Sequence, residues 1–367
     1  MATKRDYLLQ YLRREIKSTI PFDIGFNPNA EKEFSAILKG KKEREYFDCC
    51  TRDVRPDLLK ARRNYDFSSL YPQGTPNNSS SDIFNISGTM ADNYDEWGIF
   101  TSNLGKGLIH VINPMSQFEE KEQLKDYPFP DYSNYDCYIA MKKEVEEIHK
   151  QGLAAVAKTE RMIFAMGRDL RGYENHLMDY CDNDDFLDEL LDRIMECQIT
   201  LIKGIAGTGV DIIWLSADVA SQHAVFIRHS IYHEKVAWRM REIFHAAKKV
   251  NPEILCAYHC CGNVVPIMDD ILEFGIDILN PIQPESLDFP SFKSKYGDKL
   301  ILWGGISVQH TMPNGTVEDV RAEVRNTGKI LGAGGAFVIS PSNEITEDIP
   351  FENIEAFIDE SQRLSVL

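Results

Sequence analysis

The chain has 367 residues, 43% of them hydrophobic, and a formal net charge of −17. That is enough length and apolar content for one large folded core, and it excludes a disordered chain. The negative field argues against nucleic acid or an anionic membrane as a partner, though not against a small anion held in a local pocket.

No apolar run approaches membrane-spanning length, and the opening residues Met-Ala-Thr-Lys-Arg-Asp-Tyr have no signal core. Eight cysteines diluted through so long a chain read as reduced thiols, so a cytoplasmic setting is expected.

In chain order, residues 1–92 read as a mainly helical N-terminal accessory extension and 93–367 as the catalytic domain. Tyr7, Leu8, Tyr11, Leu12 and Ile16 fall at helical spacing and predict a helix over 6–20, stopped by Pro21. A short extended piece follows at 22–26, then a helix over 30–38. The Pro, Gly, Asn and Ser content of 71–82 marks a loop. An apolar run at 107–112 predicts a strand. From Tyr138 onward the pattern is regular. Strands are expected over 153–159, 211–216, 254–259, 277–280, 300–303 and 336–339. Between and after them lie helical patterns over 185–205, 230–250, 265–274, 291–296, 317–331 and 351–361. Short buried strands alternating with amphipathic helices mean parallel β/α units. With the 107–112 strand there are seven or eight, which predicts an α/β fold of the (β/α)8 TIM-barrel type. No G-x-G-x-x-G follows an early strand and no Walker A sequence occurs, so a nucleotide cradle has no support.

In such a barrel, chemistry gathers where strands end. The richest strand end is Ile-Leu-Cys-Ala-Tyr-His-Cys-Cys-Gly at 254–262. Alternation puts Leu255, Ala257, His259 and Cys261 on one face, with Cys256, Tyr258 and Cys260 on the other. His259 and Cys261 can converge on one ion while Gly262 turns the backbone away. Imidazole plus thiolate suits zinc; a packed strand end is the plain alternative. Glu160 and Asp218 are candidate proton-transfer acids, or helix caps. Gln222, Asn280 and Gln283 are candidate substrate-orienting amides, or loop braces. Asn343 stands beside them on the last loop, and Tyr173 lines the mouth or packs.

Several strings then become informative together. They are Pro21-Phe-Asp-Ile-Gly25, Asp95-Glu-Trp-Gly98, Tyr127-Pro-Phe-Pro130, Arg171-Gly-Tyr-Glu-Asn175, Asp218-Val-Ala-Ser-Gln222, His259-Cys-Cys-Gly262, Asp277-Ile-Leu-Asn-Pro-Ile-Gln-Pro284 and Gly334-Gly-Ala-Phe-Val-Ile-Ser-Pro341. In this order, over nearly the whole chain, the sequence resembles the uroporphyrinogen decarboxylase superfamily, in particular its zinc-dependent corrinoid methyltransferase branch. The resemblance implies a (β/α)8 barrel with an N-terminal extension. It also implies a zinc site at His259 and Cys261, a small-molecule methyl donor, and a corrinoid protein whose cobalamin takes the methyl group. A homodimer is a further implication.

Two departures sort the branches. The decarboxylases carry an early Arg-rich segment, whereas 19–27 contains no Arg, which demotes a polycarboxylate porphyrinogen as substrate. The thiol-methylating members take a further Cys ligand from the last loop, where this chain has Ser340-Pro-Ser-Asn-Glu344. A catalytic zinc wants three protein ligands, so an oxygen donor is expected. Glu344 is assigned, with Glu160, Asp218 and Glu96 as alternatives. Oxygen in place of thiolate leaves a more electrophilic ion, better suited to an ether oxygen than to a thiol. The expected activity is therefore transfer of a methyl group from a methoxylated or otherwise methylated small molecule to cob(I)alamin. A decarboxylase acting on a smaller acid, or an inactive barrel that binds a small molecule, are the alternatives.

Overall fold

The computed structural model describes residues 2–70, 94–105, 108–182 and 185–365; the loop expected over 71–82, and Gly107, lie outside them. The strands in chain order are β1 (Thr51–Val54), β2 (Phe100–Gly105), β3 (Leu108–Ile112), β4 (Ala154–Thr159), β5 (Ile212–Ser216), β6 (Leu255–His259), β7 (Ile278–Ile282), β8 (Ile301–Ile306) and β9 (Phe337–Pro341). Among the described residues, β1 and β4 to β9 form one seven-stranded parallel sheet in sequence order. Beyond β9 the extended piece near the N-terminus adds itself, with Phe22 bridged in parallel to Ile339 and Phe26 to Ile345. That piece takes the eighth position. Helices follow β4 to β9, and those at Val317–Leu331 and Phe351–Ser361 match the sequence pattern residue for residue. The result is a TIM-barrel-like α/β fold, as the pattern of elements predicts.

Two expectations change. The apolar run at 107–112 does not enter the barrel: β3 pairs antiparallel with β2 in a separate two-stranded ribbon. The first parallel strand is instead β1, Thr-Arg-Asp-Val, whose half-buried Arg52 and Asp53 hide it from any hydrophobic pattern. Both β1 and the Phe22 segment fall within residues 1–92, so the sheet draws on the stretch set apart as an extension. The first helix is also shorter than expected. It runs over Lys4–Leu12, ending before Arg14 at φ +61°, where the Arg14 guanidinium donates to the carbonyls of Gly297 and Leu300 at 2.6 and 3.1 Å.

The core splits in two along each strand. Val156, Trp214, Leu255, Ala257, Ile278 and Trp303 belong to a lumen cluster, completed by Leu8, Tyr11 and Leu12 of the first helix. That helix therefore plugs the lumen from the end where Arg5 bonds Asp211, just before β5. Cys256, Tyr258 and Cys260 join the larger layer between sheet and helices. The two-residue alternation read from the sequence of β6 is thus real, and it delivers His259 to the lumen face at the open end. No helix among the described residues is long and apolar enough to cross a membrane.

Candidate metal centre

Three strand-end side chains meet at the open rim. Ser216 of β5 and His259 of β6 are register partners, so Asp218 and Cys261, each two residues further on, leave the sheet side by side. The Cys261 N–H donates to Asp218 Oδ1 at 2.8 Å, and His259 Nε2 lies 3.6 Å from Cys261 Sγ. One ligand atom from each of Asp218, His259 and Cys261 lies within 4.8 Å of the other two, an arrangement found nowhere else among the described His, Cys, Asp and Glu residues. With zinc bonds of about 2.05 Å to nitrogen and 2.3 Å to sulfur, the N–S edge of a tetrahedron is about 3.6 Å. The observed separation matches. Burial first, and the Asp218 carboxylate second, push the Cys261 thiol up to about 12. A thiol so placed gives up its proton to a divalent cation far more readily than to water. The donor set fits zinc.

The oxygen placed to complete the set belongs to Asp218. Glu344, assigned from the sequence, shares the same cavity but stays outside the trio. Its loop neighbour Asn343 occupies the space beside the sulfur, donating from Nδ2 to Cys261 Sγ at 3.7 Å. The Glu344 N–H donates to Asn343 Oδ1 at 2.7 Å and so turns that amide toward the thiol. Burial raises the Glu344 carboxyl above its ordinary range. Glu160 is half-exposed and pairs with Arg55 at 3.7 Å.

Gly262 permits the turn. It has φ +95°, and a Cβ there would lie 2.4 Å from the carbonyl oxygen of Ser221. Its N–H donates to Gln283 Oε1 at 3.0 Å. Gly262→Ala should cost at least about 2 kcal/mol through strain and collision, read as a lower urea midpoint at unchanged m-value. An unchanged midpoint would show that the turn is not constrained.

A cavity of about 410 Å³ opens in front of the trio and reaches Asp218, His259, Asn280, Trp214 and Trp303. The two indoles meet edge to face, with 5.2 Å between ring centres, and form an aromatic floor. The lining also includes cations that the sequence reading missed: Arg44, Arg55, Lys158, Arg161 and Arg168. Carboxylates brace them, with Lys158 on Asp53 at 2.8 Å, Arg161 on Asp95 at 2.7 Å and Arg168 on Asp169 at 2.8 Å. The cavity is thus cationic although 19–27 contains no Arg. A smaller cavity of about 210 Å³ reaches Cys261 from the other side and is lined by Gln222, Gln283, Gln309 and Asn343.

The remaining candidates sort by their contacts. Gln222 donates to Gln309 Oε1 at 2.7 Å across the smaller cavity. Gln283 is a loop brace, its oxygen taken by Gly262. Tyr173 is 49% exposed, packs edge-on against Phe226 and lines neither cavity. Asn280 is buried, with both ends of its amide bonded within the protein.

Comparison with known proteins agrees with this architecture. A methyltransferase from Methanosarcina mazei superposes with a TM-score of 0.64 at 19% identity, covering 98% of each chain. Xylanase 10B from Thermotoga petrophila, solved with xylobiose, gives 0.38 at 11% identity, over 62% of this chain and 80% of that one. A search of curated sequences returned no match. The uroporphyrinogen decarboxylase (URO-D) family profile matches residues 105–364, a span that includes β4 to β9 and all three residues of the trio. The chain belongs to the uroporphyrinogen decarboxylase family.

Proposed function

We propose that this protein is a methyltransferase that moves a methyl group from a methoxylated or otherwise methylated small molecule to the cob(I)alamin of a corrinoid protein. Zinc at Asp218, His259 and Cys261 would supply Lewis acidity toward the oxygen bearing the methyl group. The observation that carries the reading is the trio itself, with its tetrahedral N–S edge beside an aromatic-floored cavity. Trp214 and Trp303 offer a flat apolar surface to the body of the donor and keep water from that side. With Asp218 in the ligand set, protonation of the departing oxygen falls to Glu160 or Glu344. Glu344, whose carboxyl is raised by desolvation, lines the same cavity and is the donor favoured here. The amides of Gln222 and Asn343 sit on the Cys261 side, where they would face the incoming partner.

The test is metal content. Chelator-washed wild type, reloaded and desalted, should retain one zinc per chain, and Cys261→Ala should retain almost none. Equal, negligible metal in both would remove the proposal. The braced cations favour a second reading, decarboxylation of a small acid, which predicts turnover without any metal.

A further inference from the structure

The sequence suggested Asn280 as an amide that orients substrate, but its surroundings point elsewhere. His259 and Asn280 are register partners on the adjacent parallel strands β6 and β7, so their side chains rise next to each other on the lumen face. Asn280 is only 6% exposed. Its Nδ2 donates to the backbone carbonyl of Trp303 at 3.1 Å, and its Oδ1 lies 2.5 Å from His259 Nδ1. Trp303 is itself buried in the middle of β8, so that carbonyl is a fixed acceptor.

The chemistry of each atom then settles the rest. A carbonyl oxygen accepts and cannot donate, so it holds the NH2 end of the amide and turns Oδ1 toward the imidazole. An amide oxygen also only accepts, so the hydrogen of a neutral His259 ring must sit on Nδ1. Nε2 is left with a bare lone pair, aimed at the region it shares with Cys261 Sγ, 3.6 Å away. A flipped amide would set oxygen against oxygen at Trp303 and give up the bond from Nδ1–H. A flipped tautomer would face the lone pair of Nδ1 against Oδ1.

We infer that Asn280 is a positioning residue: relayed from the Trp303 carbonyl, it fixes His259 as the Nδ1–H tautomer and so presents Nε2 as the metal-binding atom. A partner of this kind on a ligating histidine orients the ring and strengthens it as a ligand. The inference rests on the zinc reading above only for its final clause, because the tautomer is a property of the metal-free protein.

The experiment is a long-range 1H–15N correlation of the histidine side chains in metal-free, full-length protein at about pH 8, above the ordinary imidazole range. His259, assigned by its loss in His259→Gln, should show a protonated Nδ1 and a bare Nε2. Asn280→Leu should shift the ring toward the Nε2–H form and weaken zinc binding by roughly 10–100-fold in a chelator competition. Asn280→Asp, which keeps an acceptor facing Nδ1, should recover most of that affinity. A role in packing alone would leave the tautomer unmoved and would not distinguish Asp from Leu. An Nε2–H ring in the wild type overturns the inference without any variant, so a misfolded Asn280→Leu does not shelter it. Wild type that binds no zinc yet shows the Nδ1–H ring would sink the proposed reaction and leave the tautomer assignment standing.

Discussion

Replacing Arg44 by Met is expected to destabilise the protein by roughly 3–5 kcal/mol, the cost of stranding buried carboxylates without their cation. Arg44 is 7% exposed. It grips Asp23 with two nitrogens at 2.8 and 3.0 Å, and reaches Asp53 at 2.9 Å and Glu43 at 3.2 Å. Asp23 lies on the segment bridged to β9 and Asp53 lies on β1, so one guanidinium ties the eighth position to the first strand. Burial alone would raise Asp53, but Arg44 and Lys158 together hold it down to about 2. Arg44→Lys should recover only part of the loss, because an ammonium cannot repeat the two-pronged grip on Asp23. Urea unfolding at pH 7 reads both variants. A loss below about 1 kcal/mol for Arg44→Met would mean that the junction does not depend on this charge.

The second large effect is a pH dependence centred on Glu96. This carboxyl is 3% exposed, and its pKa is raised to about 7, first by burial and then by the neighbouring Asp95. Arg161 and the Tyr132 hydroxyl, which donates to it at 2.6 Å, offset only part of that. The folded state therefore binds this proton more tightly than the unfolded chain does. Its contribution to stability is fully present below the ordinary glutamate range near 4.5 and is lost as pH rises through about 7. A shift of this size corresponds to about 3 kcal/mol between pH 4 and pH 8. Glu96→Gln keeps an acceptor for Tyr132 and removes the ionisation. The variant should match wild type in urea at about pH 4 and exceed it at pH 8. Parallel profiles for the two proteins across that window would show that Glu96 does not titrate there.

How much of this could be read in advance depends on whether a feature was local. The face alternation of Leu255, Ala257 and His259 needs only a strand, and the lumen cluster reproduces it. Amphipathic helices such as Val317–Leu331 announce themselves through their own residues. The strand β1 did not, because its two central residues are charged, and Asp53 is held by Arg44 and by the distant Lys158 rather than by apolar neighbours. The run at 107–112 looked like a barrel strand for the opposite reason: its apolar pattern says strand without saying which sheet. At the site, the closeness of His259 and Cys261 was legible from spacing, whereas that of Asp218 to both required the register between β5 and β6. Asn280 was noticed for its polarity, but nothing local reveals the Trp303 carbonyl that its amide meets. The cations were invisible because they come from scattered places: a short helix at Glu43–Tyr46, the residue after β1, β4, the turn after it and the helix that follows.

The stitch between Phe22 and Ile339 also governs how the molecule can be made. A side-chain bond in the same seam, from Asn27 to Glu347, joins residues 320 positions apart. At a typical translation speed the N-terminal segment waits roughly 15–60 s on the ribosome before its pairing partner emerges. Throughout that interval the β9 edge that covers this segment is missing, although Phe26 can already pack on Phe34 and Phe47. Slower growth at lower temperature is therefore expected to raise the soluble yield.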